Sequence, residues 1–157
     1  MRRTKVAGLT AVTMSAVAVI AGGFTSSQGF AGREAIKIVS TIPGPYHASV
    51  SASGAFRAKG YYLRRKASLV FPKGRLAVHR QVLNTTYSPP DLATCVFKAQ
   101  QSGTFSVFYA TGEYRGLRYS GNFWTNITGH LKPSGQDQCG TKLLSYRAVT
   151  YEVGSVP

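Results

Sequence analysis

Acidic residues are scarce in this sequence. Five Asp and Glu stand against 19 Lys and Arg, for a formal charge of +14 at pH 7. Carboxylates this sparse, with thiolates as rare, do not suggest a metal site. The three histidines, His47, His79 and His130, fall on separate segments without ligand spacing, so no metal is expected. Only two cysteines occur, Cys95 and Cys139, and they lack the CxxC spacing of a redox pair. No Gly-x-Ser-x-Gly elbow and no phosphate-cradling loop is present, and no catalytic residue or cofactor is assigned. The patterns of RNA-recognition, zinc-finger and helix-turn-helix modules are missing too, which removes specific nucleic-acid readout. Helical periodicity of useful length, internal repeats and low-complexity blocks are also absent.

What is present begins with an export signal. Arg2, Arg3 and Lys5 precede the apolar run Val6–Ile20, which is shorter than the roughly 20 residues of a spanning helix. Gly29-Phe30-Ala31 places small residues at the −3 and −1 positions of a cleavage site, and Ala21-Gly22-Gly23 is a poorer second site. The expected division is a signal peptide, residues 1–31, and a secreted domain, residues 32–157. Thr4-Lys5-Val6 does not continue a twin-arginine pattern, and no cysteine near the cleavage region offers a lipid anchor. Outside the cell, Cys95 and Cys139 are expected to form a structural disulfide.

Arg2, Arg3 and Lys5 leave with the signal while all five acids remain, so the secreted domain stays strongly basic. Such a charge favours anionic partners, among them cell-envelope polymers. Arg57, Lys59, Arg64, Arg65, Lys66, Lys73 and Arg75 cluster in sequence across two adjoining hairpins. They form a candidate anion patch on one side and one rim.

The domain reads as strands and turns. Ala35–Ile42 places Ile36, Ile38 and Ile42 on one side at period two. Phe56, Ala58, Gly60 and Tyr62 alternate with Arg57, Lys59 and Tyr61 as a half-buried strand with a basic outer face. Ala67–Phe71 leads through Pro72-Lys73-Gly74 into a return strand bearing Leu76, Val78 and Val82, with Arg75, His79 and Gln81 opposite. Asn84–Leu92 is read as a loop because Pro89 and Pro90 cannot donate to a ladder. Strands are expected at Thr94–Ala99, Thr104–Tyr109 and Phe123–Ile127, followed by a polar loop, Pro133–Gly140, and a last strand, Lys142–Val153. That last strand is apolar on both faces, which suits closure against the first. The expected fold is all-β: a single closed or nearly closed antiparallel barrel of about seven or eight strands.

Among the acids, Asp91 and Glu113 stand out because both lie in turn-like segments. A carboxylate in a barrel mouth becomes a general base when burial raises its pKa. The plainer readings are turn chemistry for Asp91 and a surface pair with Arg115 or Arg118 for Glu113. Aromatic residues are abundant, and Tyr62, Phe105, Tyr109, Tyr119 and Trp124 are the candidate lining of an interior ligand cavity. Ring size favours Trp124 in the interior; the alternative is that these rings simply fill a small barrel.

The stretch Tyr109–Phe123, YATGEYRGLRYSGNF, resembles the glycine-rich bend of the allene oxide cyclase and dirigent-like barrels. Gly112 and Gly116 permit left-handed turns there, and Gly121 permits strand bending. Secreted actinobacterial proteins of unassigned function look similar, including the two cysteines. The resemblance implies an eight-stranded barrel with a hydrophobic cavity and self-association as a homo-oligomer. It does not carry catalysis, since neither group's functional carboxylates can be placed on this chain. Three functions follow as expectations: a secreted barrel binding an apolar or aromatic small molecule, a cyclase-type isomerase, and an inhibitor- or toxin-like protein acting through its basic face.

Overall fold

The structure, a computed structural model, describes residues 31–44 and 47–157. The expected signal peptide, apart from Ala31, lies outside the described residues. Eight antiparallel strands follow in chain order: β1 (Gly32–Ile42), β2 (Ala48–Gly54), β3 (Ala58–Leu63), β4 (Ser68–Phe71), β5 (Gly74–Asp91), β6 (Val96–Ala110), β7 (Tyr119–Gly135) and β8 (Gln138–Val156). Each pairs with the next, and β8 pairs back onto β1, so the sheet closes on itself. No helix among the described residues is long and apolar enough to cross a membrane.

Alternation sorts the side chains. Ile36 and Ile38 of β1, Val50 and Ala52 of β2, Leu69 and Phe71 of β4, Leu76 and Val78 of β5, and Phe105 and Val107 of β6 are buried together. One end of the ring is plugged. Phe56, Phe71 and Tyr114 meet there with centroids 5.0 to 5.8 Å apart. Tyr114 reaches that position because a short 3-10 turn, Gly112–Tyr114, folds the β6–β7 connection inward. Gly112 and Gly116 hold the φ values, +64° and +85°, that this connection requires. Gly121 serves differently: a Cβ there would lie 2.0 Å from the carbonyl oxygen of Val153, so glycine lets β7 and β8 approach.

Strand β2, ASVSASG, lies in a stretch where the sequence predicts no element; Val50 and Ala52 are buried on its inner face, and Ala48 packs against the core from the same side. Two segments depart from expectation. Asn84–Leu92, expected as a loop, is strand almost throughout, because β5 runs to Asp91 against β6. Pro89 and Pro90 are tolerated because they fall in the register shift between Ser88 and Asp91. β4 has also left the other edge of β5 beyond Ala77, so no ladder bond is lost. Pro133–Gly140, also expected as a loop, is a hairpin whose strands continue to Gly135 and resume at Gln138. Asp137 takes the left-handed turn position at φ +52°.

The long strands β5 to β8 thus project beyond the short side of the ring as one four-stranded sheet, with β6 and β7 paired up to Val96 opposite His130. Cys95, in the β5–β6 turn, is bonded to Cys139 near the β7–β8 turn. The Leu131 N–H donates to the Cys95 carbonyl at 2.9 Å beside that bond. The disulfide therefore ties the β5–β6 turn to the β7–β8 hairpin at the far end of this sheet. We expect no free thiol in the folded protein, and we expect Cys95→Ser to cost about 2–5 kcal/mol. Hydrogen exchange should accelerate mainly in residues 84–102 and 131–145, with β1 to β4 protected as before. Faster exchange throughout the ring would show that the bond supports the barrel itself.

Candidate functional site

At the end opposite the aromatic plug, the ring opens on a cavity of about 630 Å³. Ile38, Val82, Phe123, Ile127 and Ala148 give it apolar walls, and Thr125, Thr150 and Tyr146 add hydroxyls. Thr125 and Thr150 are hydrogen-bonded to each other at 2.8 Å. Arg64 and Arg80 are the charged residues on its surface; among the described residues, no carboxylate lines it.

Arg80 is held from two sides. Its Nε donates to Glu152 Oε1, and its Nη1 donates to Tyr62 Oη at 2.8 Å. The guanidinium carbon also lies 4.7 Å from the Tyr62 ring centroid. Glu152 is fully buried on β8 behind this pair, and Glu34 is fully buried on β1, where Oε2 accepts the Phe56 N–H at 3.1 Å. Tyr119 completes the buried polar group. Glu34 Oε1, Glu152 Oε2, Tyr119 Oη and Arg80 Nη2 each lack a hydrogen-bond partner among the described residues.

Burial sets the protonation of this cluster. Desolvation pushes the Glu34 carboxyl up to about 7, against the opposing pull of the Phe56 N–H. It also raises Glu152, although the Arg80 charge and hydrogen bond pull the other way. The Tyr119 phenol is pushed up by burial and by the nearby Glu34 and Glu152 charges. Neither Glu34 nor Glu152 is among the acids singled out from the sequence. Parity marks both Glu34 and Arg80, since Glu34 shares a face with Ile36 and Ile38, and Arg80 with Val78 and Val82. Glu152 stands on the same face of β8 as the buried Ala148.

Asp91 does what a turn residue does: its Oδ1 accepts the N–H and hydroxyl of Thr94 at 2.9 and 3.0 Å. That bonding holds its carboxyl below the usual range. Glu113 is exposed and pairs at 2.9 Å with Lys73, not with Arg115 or Arg118. Neither is a general base in a mouth.

The predicted aromatic lining divides. Tyr62 lines the cavity. Phe105 and Tyr119 are core, packed edge to face at 5.7 Å. Tyr109, 59 % exposed, and Trp124, 43 % exposed, lie on the outer surface, and this corrects the interior placement of Trp124. Phe123 and Thr125 take the inward face of β7, so alternation turns Trp124 outward. The seven cations of the candidate patch are all exposed but serve both rims, not one. Arg57 and Lys73 sit in turns at the plugged end, whereas Arg64, Arg65 and Lys66 form the turn at the open end. Lys59 and Arg75 lie on strands between them, and Lys73 is already engaged by Glu113.

Comparison with protein-family models, with curated proteins and with solved structures returned no match.

Two outcomes test the buried cluster. A carboxyl raised from 4.5 to about 7 on folding binds its proton more tightly in the native state. Its contribution is therefore full below pH 4.5 and is lost as pH rises toward 7. Over that interval the native protein should lose up to about 3 kcal/mol relative to Glu34→Gln, at about 1.4 kcal/mol per pKa unit. Chemical denaturation at pH 4.5 and 7.5 measures this difference. Arg80→Leu strands Glu152 in the interior and should cost about 3–5 kcal/mol. Arg80→Leu with Glu152→Leu should recover much of that loss, measured in the same way.

Proposed function

We propose that this chain is a secreted binding barrel that admits an apolar or aromatic small molecule through the open end of its ring. The observation that carries this reading is the cavity of about 630 Å³, within the size range of small-molecule sites, with apolar walls and a fixed polar floor. Tyr62 and Glu152 hold Arg80 in place, so its orientation costs little on binding. Secretion is supported by the basic start and apolar run of the sequence, and by a disulfide that suits an oxidising compartment. Kinship with the allene oxide cyclase and dirigent-like barrels is part of the same proposal. It is supported by the Thr111–Phe123 bend, with its two glycines at positive φ.

Catalysis by isomerisation has less support, because Glu34 and Glu152 lie behind the cavity floor and not on its surface. An envelope-binding role through the basic residues also has less, because their charges divide between two rims.

Trp124 faces away from the cavity, so its fluorescence is a poor reporter of an interior ligand. Displacement of the neutral probe N-phenyl-1-naphthylamine by flat aromatic and aliphatic compounds tests the proposal instead. Saturable binding of one probe per barrel, unchanged between low and physiological salt, is expected. Ala148→Trp should fill the cavity and weaken binding at least tenfold while the melting temperature holds. Equal binding by that variant, or no binding by the native domain, would overturn the reading.

A further inference from the structure

Between Arg75 at one end and the Ser88, Lys98 and Thr128 row at the other, the outward face of β5, β6 and β7 carries no Lys, Arg, Asp or Glu, in a chain with a formal charge of +14. The strand register lays its side chains out in rows. Asn84, Ser102, Trp124 and Tyr151 form one row, and Thr86, Gln100 and Asn126 form the next toward the disulfide end. On the other side, Gln81, Thr104 and Asn122 form a third, and His79, Ser106 and Ser120 a fourth. Each strand therefore offers amides and hydroxyls at every second residue, on both sides of a tryptophan.

Two shallow depressions follow each other along this face. One, of about 280 Å³, is bounded by Trp124 with Asn84, Thr86, Gln100, Ser102 and Asn126. The other, of about 330 Å³, is bounded by His79, Gln81, Thr104, Ser106, Ser120 and Asn122. His79 is the only titratable side chain on either. Their centres are four residues apart along β7, roughly 13 Å at strand rise, which is the reach of a chain of rings and not of one ring.

Trp124 is braced. Tyr151 stacks on it with centroids 5.5 Å apart, and the Lys37 ammonium lies 5.6 Å from the Tyr151 centroid. The row runs Lys37, Tyr151, Trp124, so two neighbours hold the indole in place while 43 % of the residue stays exposed. A fixed aromatic face beside amides that both donate and accept matches one ligand chemistry. Pyranose rings present apolar C–H faces to stack on the indole and equatorial hydroxyls to exchange hydrogen bonds with Asn, Gln, Ser and Thr. An anionic polymer would find no cation within the depressions, and an apolar ligand would strand the amides.

We propose that this outer face of β5 to β7 binds an uncharged polysaccharide chain, with Trp124 as the stacking platform and Asn84, Gln100, Asn122 and Asn126 as hydroxyl partners. The site is separate from the interior cavity: Trp124 and Phe123 point to opposite faces of β7.

Because Trp124 is the only tryptophan, its fluorescence reads this site directly. The domain is titrated with cellohexaose, chitohexaose and maltohexaose at 50 mM and 500 mM NaCl. At least one should produce a saturable change with an affinity that salt leaves within twofold. By calorimetry, Trp124→Ala and Asn126→Ala should each weaken binding at least tenfold, with melting temperatures held because both residues are exposed. Tyr109→Ala, an exposed aromatic outside the depressions, should bind as the native protein does, and Ala148→Trp should leave glycan binding intact while blocking the interior. Three results would overturn the proposal: no response to any hexasaccharide, native affinity in Trp124→Ala, or binding confined to dextran sulfate and lost at 500 mM NaCl.

Discussion

The pairing of β1 with β8, from Gly32 opposite Val156 to Ile42 opposite Tyr146, is the seam on which the molecule depends. β2, β3 and β4 are short, and without closure they would leave a ragged sheet with two open edges. The seam also carries the unusual chemistry of the chain. Glu34 of β1 and Glu152 of β8 both turn inward from it, while Lys37 and Tyr151 meet across its outer side. Opening the seam would hydrate both glutamates and release their desolvation cost, so closure works against a local electrostatic penalty. Eleven registered residue pairs and the Ile36 and Ile38 side chains of the core offset it.

A ring of this kind has two ends, and side-chain size makes them unequal. Three aromatic rings and Leu117 fill one end, where the β6–β7 connection folds over. Toward the other end, Ile38, Ala148, Thr125 and Thr150 are too small to meet across the lumen, so a cavity remains. Arg80 stands at the transition. Among the described residues, Arg80 Nη2, Glu152 Oε2 and Tyr119 Oη have no hydrogen-bond partner. Buried donors and acceptors of this sort cost stability unless something satisfies them, and a polar floor under apolar walls is where a ligand gains specificity.

Period-two alternation made the fold class, the β1–β8 closure and the inward set of β3 legible in the sequence. It failed where local chemistry spoke louder than register. Pro89 and Pro90 reported a loop truthfully as single residues, yet a bulge and an unpaired edge absorbed them. For the site, the sequence pointed to acids in turns, where exposure is cheap, and so passed over Glu34 and Glu152 in strands. Their parity was readable, but which face of a barrel strand is inward depends on its neighbours. The same ambiguity misplaced Trp124. Ring volume is a weak argument once Phe123, one residue away, competes for the same interior.

Charge is sorted around the molecule in a way that composition alone does not reveal. Most of the described cations occupy the turns and the strands of the short side, while Arg75, Lys98 and Lys132 stand toward the two ends of the tall side. Between those ends the outward face of β5 to β7 carries amides and hydroxyls, which neither repel a second strand nor attract counter-ions. That choice suits a flat, extended surface held rigid by its own ladder. A long charged side chain there would lose conformational freedom on contact, about 1.5–2 kcal/mol for each Lys or Arg immobilised, whereas Ser, Thr and Asn lose far less. A surface meant to stay in solution gains from lysine. One built to lie against an uncharged polymer gains from short amides, hydroxyls and one fixed indole, and that is the composition found around Trp124.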